Sequence, residues 1–240
     1  MQTSPTLKLD RGTIRGTIRG TTGAVLLFAL CQQAAANPDG LLYDPEPPAD
    51  SAYVRVLMVP GTGPLDVLVD GKTRLRKLAA GAPSDYMVLS AGKHVMVLQP
   101  QAKGAPALTS TLDVIRGRAL TLAFGVGAAP AVFEDKANAN KLKALLSVYH
   151  LGATGDKLDI LTADGAKVFT DLAPGTSAGI AVNPIEIGLI AAKSGTTVPL
   201  ASVRLAMSRG GTYSVILLPG PKGKLVARAG QNTIERYTGK

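Results

Sequence analysis

The stretch Leu65-Asp66-Val67-Leu68-Val69-Asp70-Gly71-Lys72 returns 93 positions later as Leu158-Asp159-Ile160-Leu161-Thr162-Ala163-Asp164-Gly165-Ala166-Lys167. Each copy is an apolar alternation that runs into Asp-Gly and then a Lys, the pattern of a strand entering a tight hairpin turn. A unit repeated at this period folds as two like bodies, each closing its own core.

The order of elements around the repeat agrees as well. Tyr53-Val54-Arg55-Val56-Leu57-Met58-Val59 alternates as a strand and stops at Pro60-Gly61-Thr62-Gly63-Pro64, the residues that turns require. Leu78 to Leu89, the turn Ser90-Ala91-Gly92 and His94 to Leu98 are matched by Leu172 to Val182, Asn183-Pro184 and Ile185 to Ile190. A final pair, Leu112 to Gly117 with Leu120 to Phe124, is matched by Val203 to Gly210 with Tyr213 to Leu218. Short strands between Gly and Pro turns, with no sustained helical apolar period, predict an all-β fold. The expected architecture is two tandem β-sandwich domains, residues 51–135 and 144–227, arising from an internal repeat of about 93 residues. Residues 136–143, polar and alanine-rich, form the linker. Residues 228–240 form a polar tail expected to fray.

Residues 1–36 have the order of a secretory signal: basic up to Arg19, apolar from Ala24 to Cys31, then Ala34-Ala35-Ala36. The apolar run is about half of the roughly 20 residues that span a bilayer, so cleavage after Ala36 and a mature chain without a membrane span are expected. Residues 37–50 follow as a proline-rich leader. The net charge is +9, and removing the signal with its four basic residues and Asp10 leaves +6. Cys31, the one cysteine, goes with the signal, and a chain with none fits export to a periplasm.

Candidate chemistry is thin. Gly175-Thr176-Ser177-Ala178-Gly179 matches the G-x-S-x-G pattern of a nucleophile elbow, but no helix pattern or histidine follows it. The first copy carries Gly81-Ala82-Pro83-Ser84-Asp85 at the same place, so a turn common to both copies is expected. His94 and His150 fall in different copies without companions at metal-ligand spacing, so neither metal nor cofactor is expected. Asp66 and Asp159 sit at equivalent strand positions, expected to face away from the core. Arg74, Arg76 and Lys77, with Lys222, Lys224 and Arg228, are the candidate contacts for a polyanion or an acidic partner. Nucleic acid is excluded by export and by the lack of aromatic stacking platforms; the chain has no Trp.

Leu42-Tyr43-Asp44-Pro45 followed by Ser51-Ala52-Tyr53-Val54-Arg55-Val56, then Lys143 to Val148 and Val182 to Leu189, resemble the AlgF family of periplasmic alginate O-acetylation proteins. Each half also resembles a widespread extracellular β-sandwich repeat, through its V-R-V strand, V-D-G-K hairpin and Ser84-Asp85-Tyr86. The family resemblance implies a periplasmic accessory in which no catalytic set is recognised. Its implied partners are the periplasmic acetyltransferases and, beside them, the alginate polymer. The competing expectations are an envelope sandwich with a structural or adhesive role, and an acetyl carrier using Ser177 or Ser84.

Overall fold

The computed structural model describes residues 47–238 apart from Thr62, Ala128 and Thr154. The signal and all but the last four residues of the leader lie outside the described residues. What is described falls in one unit, Leu42–Lys240.

Among the described residues sixteen strands form four sheets of four. In the first half these are β1 (Ser51–Met58), β2 (Leu65–Val69), β3 (Lys72–Leu78), β4 (Met87–Ser90), β5 (Gly92–Pro100), β6 (Leu108–Val114), β7 (Ala119–Phe124) and β8 (Ala131–Asp135). The second half repeats them as β9 (Ala144–His150), β10 (Leu158–Thr162), β11 (Lys167–Leu172), β12 (Ser177–Val182), β13 (Glu186–Lys193), β14 (Pro199–Ala206), β15 (Thr212–Pro219) and β16 (Leu225–Gln231). Strand order is β4-β1-β7-β8 over β3-β2-β5-β6 in one half, and β12-β9-β15-β16 over β11-β10-β13-β14 in the other. Strand for strand the topology is the same, down to the parallel pairing of β1 with β7 and of β9 with β15. The fold is all-β, two sandwich-like halves from one duplicated unit.

The repeated stretch behaves as its residues dictate. β2 alternates buried and half-buried side chains and ends in Asp70 and Gly71, both at positive φ, which is the backbone of a two-residue hairpin turn. β3 and β11 each shift register twice against β2 and β10, and within one of these irregularities a non-glycine residue, Lys77 or Asp171, takes a left-handed conformation. The repeated aspartates hold those positions: Lys77 N–H donates to Asp66 Oδ1 at 2.8 Å and Asp171 N–H to Asp159 Oδ1 at 2.9 Å. Their carboxylates therefore lock an irregular strand. Asp159 departs from the outward orientation expected of it; it is buried beneath Lys167 and Ser194 because each of its oxygens has a donor.

Each half closes an apolar core between its two sheets, Val54, Val56, Leu65 and Leu98 being central in the first and Leu146, Val148, Ile160 and Leu217 in the second. A third core lies between the halves. Leu57, Val59, Ala123 and Phe133 of the first half pack on Tyr149, Leu151, Ile216 and Leu218 of the second. So β1, β9 and β15 are buried on both faces, which explains why their sequences are almost continuously apolar where β2 alternates.

The tail does not fray along the length expected of it. Arg228 to Gln231 complete β16. Beyond it Asn232 N–H donates to Thr212 O, Tyr86 N–H to Thr233 O and Glu235 N–H to Tyr86 O, so the chain end crosses onto the first half. Glu235 then accepts from Val88 N–H at 2.8 Å and pairs with Arg74. The polar composition that suggested a loose end supplies the bonds that fasten it.

Candidate functional site

The third core is apolar at one end and polar at the other. In the middle of β1, flanked by Val54 and Val56, Arg55 is 1% exposed. Because strand side chains alternate, Val54 and Val56 enter the first sandwich's core while Arg55 points across the seam. Its Nε donates to Thr121 Oγ1 at 2.8 Å, Nη1 to Asn232 Oδ1 at 2.7 Å, and Nη2 to Tyr149 OH at 3.0 Å and Ser214 Oγ at 2.9 Å. Its guanidinium carbon also stands 4.6 Å from the centroid of the Tyr86 ring.

Every hydroxyl that accepts from Arg55 passes a bond onward. Thr121 donates to Asp135 Oδ2 at 2.6 Å, Tyr149 donates to Asp135 Oδ1, and Ser214 donates to Asn232 Oδ1 at 2.8 Å. Tyr86 OH adds a third bond to Asp135, at 2.7 Å. The charges of Arg55 and Asp135 thus compensate one another through two hydroxyl bridges. Burial pushes the Tyr86 and Tyr149 phenols up, with the nearby Asp135 carboxylate adding to the rise and Arg55 opposing it.

Register shows how duplication built this network. Arg55 lies opposite Thr121, and Ser147 lies opposite Ser214. Asp135 lies opposite Ala119, as Asn232 meets Thr212. Thr121 with Asp135 therefore corresponds to Ser214 with Asn232, and Arg55 stands where the second copy has Ser147. One large cation from a single copy serves both sets of acceptors. Beside it lies a cavity of about 340 Å³ lined by Tyr53, Tyr86, Tyr149, Lys136 and Ile234. Sequence reading passed over Arg55 as part of a strand motif; the available signal was a lone charge inside a run apolar on both faces.

Ser177 lies on β12 opposite Tyr149, and Gly175 at φ 72° makes the turn before it. Ser84 Oγ accepts from Val56 N–H at 3.0 Å and donates to Asp85 O at 2.7 Å, closing a turn. His150 is fully buried, its Nε2 bonded to Asp156 O at 3.0 Å while Nδ1 accepts from Gly152 N–H at 3.2 Å. That tautomer is neutral, and burial holds its pKa below the usual histidine value. His94 lies between Asp70 Oδ2 at 2.6 Å and Ser90 O at 2.8 Å. Burial disfavours its charge, but bonds to those two acceptors outweigh that and raise its pKa. His94 bridges the Asp70 turn and Ser90, His150 is committed to its own loop, and neither bonds to Ser177 or Ser84. Among the described residues no group of three or more His, Cys, Asp or Glu is placed to hold a metal ion, and no helix is long and apolar enough to cross a membrane.

The six basic candidates fall in two stretches of the chain. Arg74, Arg76 and Lys77 are on β3; Arg74 is half-buried and held by Glu235, while Arg76 and Lys77 are exposed. Lys222 lies within a short 3-10 turn, Pro221–Gly223, and Lys224 just after it; the turn leads into β16, where Arg228 faces the seam.

The fold and site define a duplicated double sandwich whose seam is sealed by a buried arginine network and whose two histidines are bonded to groups other than the motif serines. The matching family model, "Alginate O-acetyl transferase AlgF", covers residues 24–214, and the chain belongs to the AlgF family. It is 33% identical to the alginate biosynthesis protein AlgF of Pseudomonas aeruginosa over 157 residues, 65% of this chain and 68% of that one. It is 28% identical to the protein of the same name from Pseudomonas putida over 169 residues, 70% of this chain and 74% of that one. A solved structure of the C-terminal domain of AlgF from P. aeruginosa is matched over its whole length and 38% of this chain, at 28% identity and a TM-score of 0.33.

Proposed function

We propose that this protein is a non-catalytic periplasmic accessory in the O-acetylation of alginate, which binds the acetyltransferases that carry out the reaction and positions them. Membership of the AlgF family supports the pathway. The observation that carries the non-catalytic part is the commitment of both histidines. Acyl transfer by a serine needs a base within hydrogen-bond reach of its hydroxyl, and His94 and His150 are each held by other partners. A sealed seam suits a scaffold, because two halves that cannot rotate present their outer edges and loops at a fixed spacing. The polymer is a further partner in this reading, met through exposed basic side chains such as Arg76, Lys77, Lys222 and Lys224.

Affinity purification from an alginate-producing strain tests the scaffold. A tagged copy is expected to bring down the periplasmic acetyltransferases; their absence would leave a structural or adhesive envelope protein as the better reading. Intact-mass measurement after incubation with an acetyl ester tests catalysis. No gain of acetyl mass is expected, and a stable acetyl adduct on Ser177 would overturn the non-catalytic assignment.

A further inference from the structure

Two more cavities open along the seam, and one side chain lines both. The first, of about 350 Å³, is bounded by Ala82 and Pro83 of the first half and by Ile216, Arg228 and Gln231 of the second. The other, of about 460 Å³, is bounded by Pro60, Leu218, Pro219, Pro221 and the same Arg228. Arg228 lies opposite Ile216 in the β15–β16 register and so shares its seam-facing side. It crosses to the first half so closely that a β-carbon on Gly81 would sit 3.3 Å from its Nε.

Three features of this groove fix the chemistry of an occupant. No Asp or Glu lines either cavity. Among the described residues no hydrogen bond or ion pair takes up the Arg228 guanidinium, and exposed Lys222 and Lys224 stand beside it in the chain. The groove is therefore cationic and uncompensated, and it complements a carboxylate, for which an arginine fork is the matching donor. Apart from Arg228, Ser214 and Gln231 the walls are proline, glycine and aliphatic, with no aromatic ring among them. A sugar chain would set hydroxyls against these walls and find no ring to stack on. A peptide with a carboxylate between proline or aliphatic side chains satisfies both the charge and the walls.

We propose that the Arg228 groove holds an acidic, extended segment of a partner protein. This rests on the accessory reading and names the place where one partner is gripped.

The test is a titration of the isotope-labelled full-length protein, followed by backbone amide shifts, with three probes. They are an octapeptide of alternating Glu, Pro and Leu, the same peptide with Gln for Glu, and a short oligo-uronate. The Glu peptide is expected to shift Gly81, Ala82 and the β16 amides saturably, with the Gln peptide about tenfold weaker, the loss that goes with one charge-assisted pair. Arg228→Gln should bring the Glu peptide to the level of the Gln peptide with the remaining spectrum unchanged, and Lys93→Gln, on the exposed face of β5, should leave binding intact. Equal binding of the two peptides, no shift at all, or no effect of Arg228→Gln overturns the proposal. Oligo-uronate binding as tightly as the Glu peptide overturns it in favour of the polymer. Acetylation of alginate in a deletion strain reads the accessory role separately. If it is lost while the groove fails these tests, only the groove is wrong; if it is normal, the accessory reading falls whatever the peptides do.

Discussion

Arg55 carries a charge to a place where no water reaches it, and four donated hydrogen bonds show how the protein tolerates that. Burying a guanidinium costs several kcal/mol, so the network serves the geometry of the seam more than its net stability. Removing one member is another matter. Arg55→Ala leaves Asp135 without its compensating charge and is expected to lower stability by about 3–5 kcal/mol in urea unfolding. Adding Asp135→Asn should recover part of that loss, a coupling that a purely structural cavity would not show. The two histidines give opposite pH signatures. His94 has a folded-state pKa above its unfolded value, so its contribution is complete below about pH 6.5 and fades as pH rises through the folded value. His150 has a lowered one, so its contribution is present above that pH and is lost as pH falls through the folded value. Thermal melts should show His94→Gln costing more at pH 5.5 than at pH 8, and His150→Gln the reverse order.

Among the elements, β1, β9 and β15 explain what was legible in the sequence and what was not. The hairpins at Asp70-Gly71 and Asp164-Gly165, the bounding turns and the repeat could be read directly because their cues are local. The seam could not, since a strand buried on both faces differs from a one-sided strand only by lacking polar residues at alternate positions. Tyr53 to Val59 shows that lack, interrupted by Arg55 alone. The tail was misread for a related reason: its partners are remote, Glu235 meeting Arg74 across 161 residues. A chain ending at Gln231 removes Asn232 from Arg55 and the bonds to Tyr86 and Val88. It is expected to melt several degrees lower, and the intact tail through Glu235 should resist limited proteolysis; rapid trimming to Gln231 without loss of stability would contradict the strap. Asp66 and Asp159, at equivalent strand positions, hold the same irregularity in separate outer sheets. Asp159→Asn should cost more than Asp66→Asn because only Asp159 is fully buried.

At the scale of the molecule, the third core makes the two halves interdependent. Leu57, Phe133, Ile216 and Leu218 would face water in either half alone, so residues 47–135 and 136–238 made separately are expected to aggregate. In the whole protein both halves should unfold in one transition, with coincident curves for probes in each; two separated transitions would show that the seam does not couple them. The proposed accessory role would use such coupling, which would keep Arg76 and Lys77 on one half at a fixed distance from Lys222, Lys224 and Arg228 on the other. Function was legible only as a pathway, through strand and turn motifs that resemble a family, because those motifs serve the fold and carry no chemistry of their own. The most direct measurement is the O-acetyl content of alginate from a clean deletion strain, alone and complemented with wild-type protein or with Ser177→Ala. Polymer made in normal amount but without acetyl groups, restored by both complements, is the expected result. Normal acetylation in the deletion strain, or a folded Ser177→Ala protein that fails to restore it, would contradict a non-catalytic role in alginate acetylation.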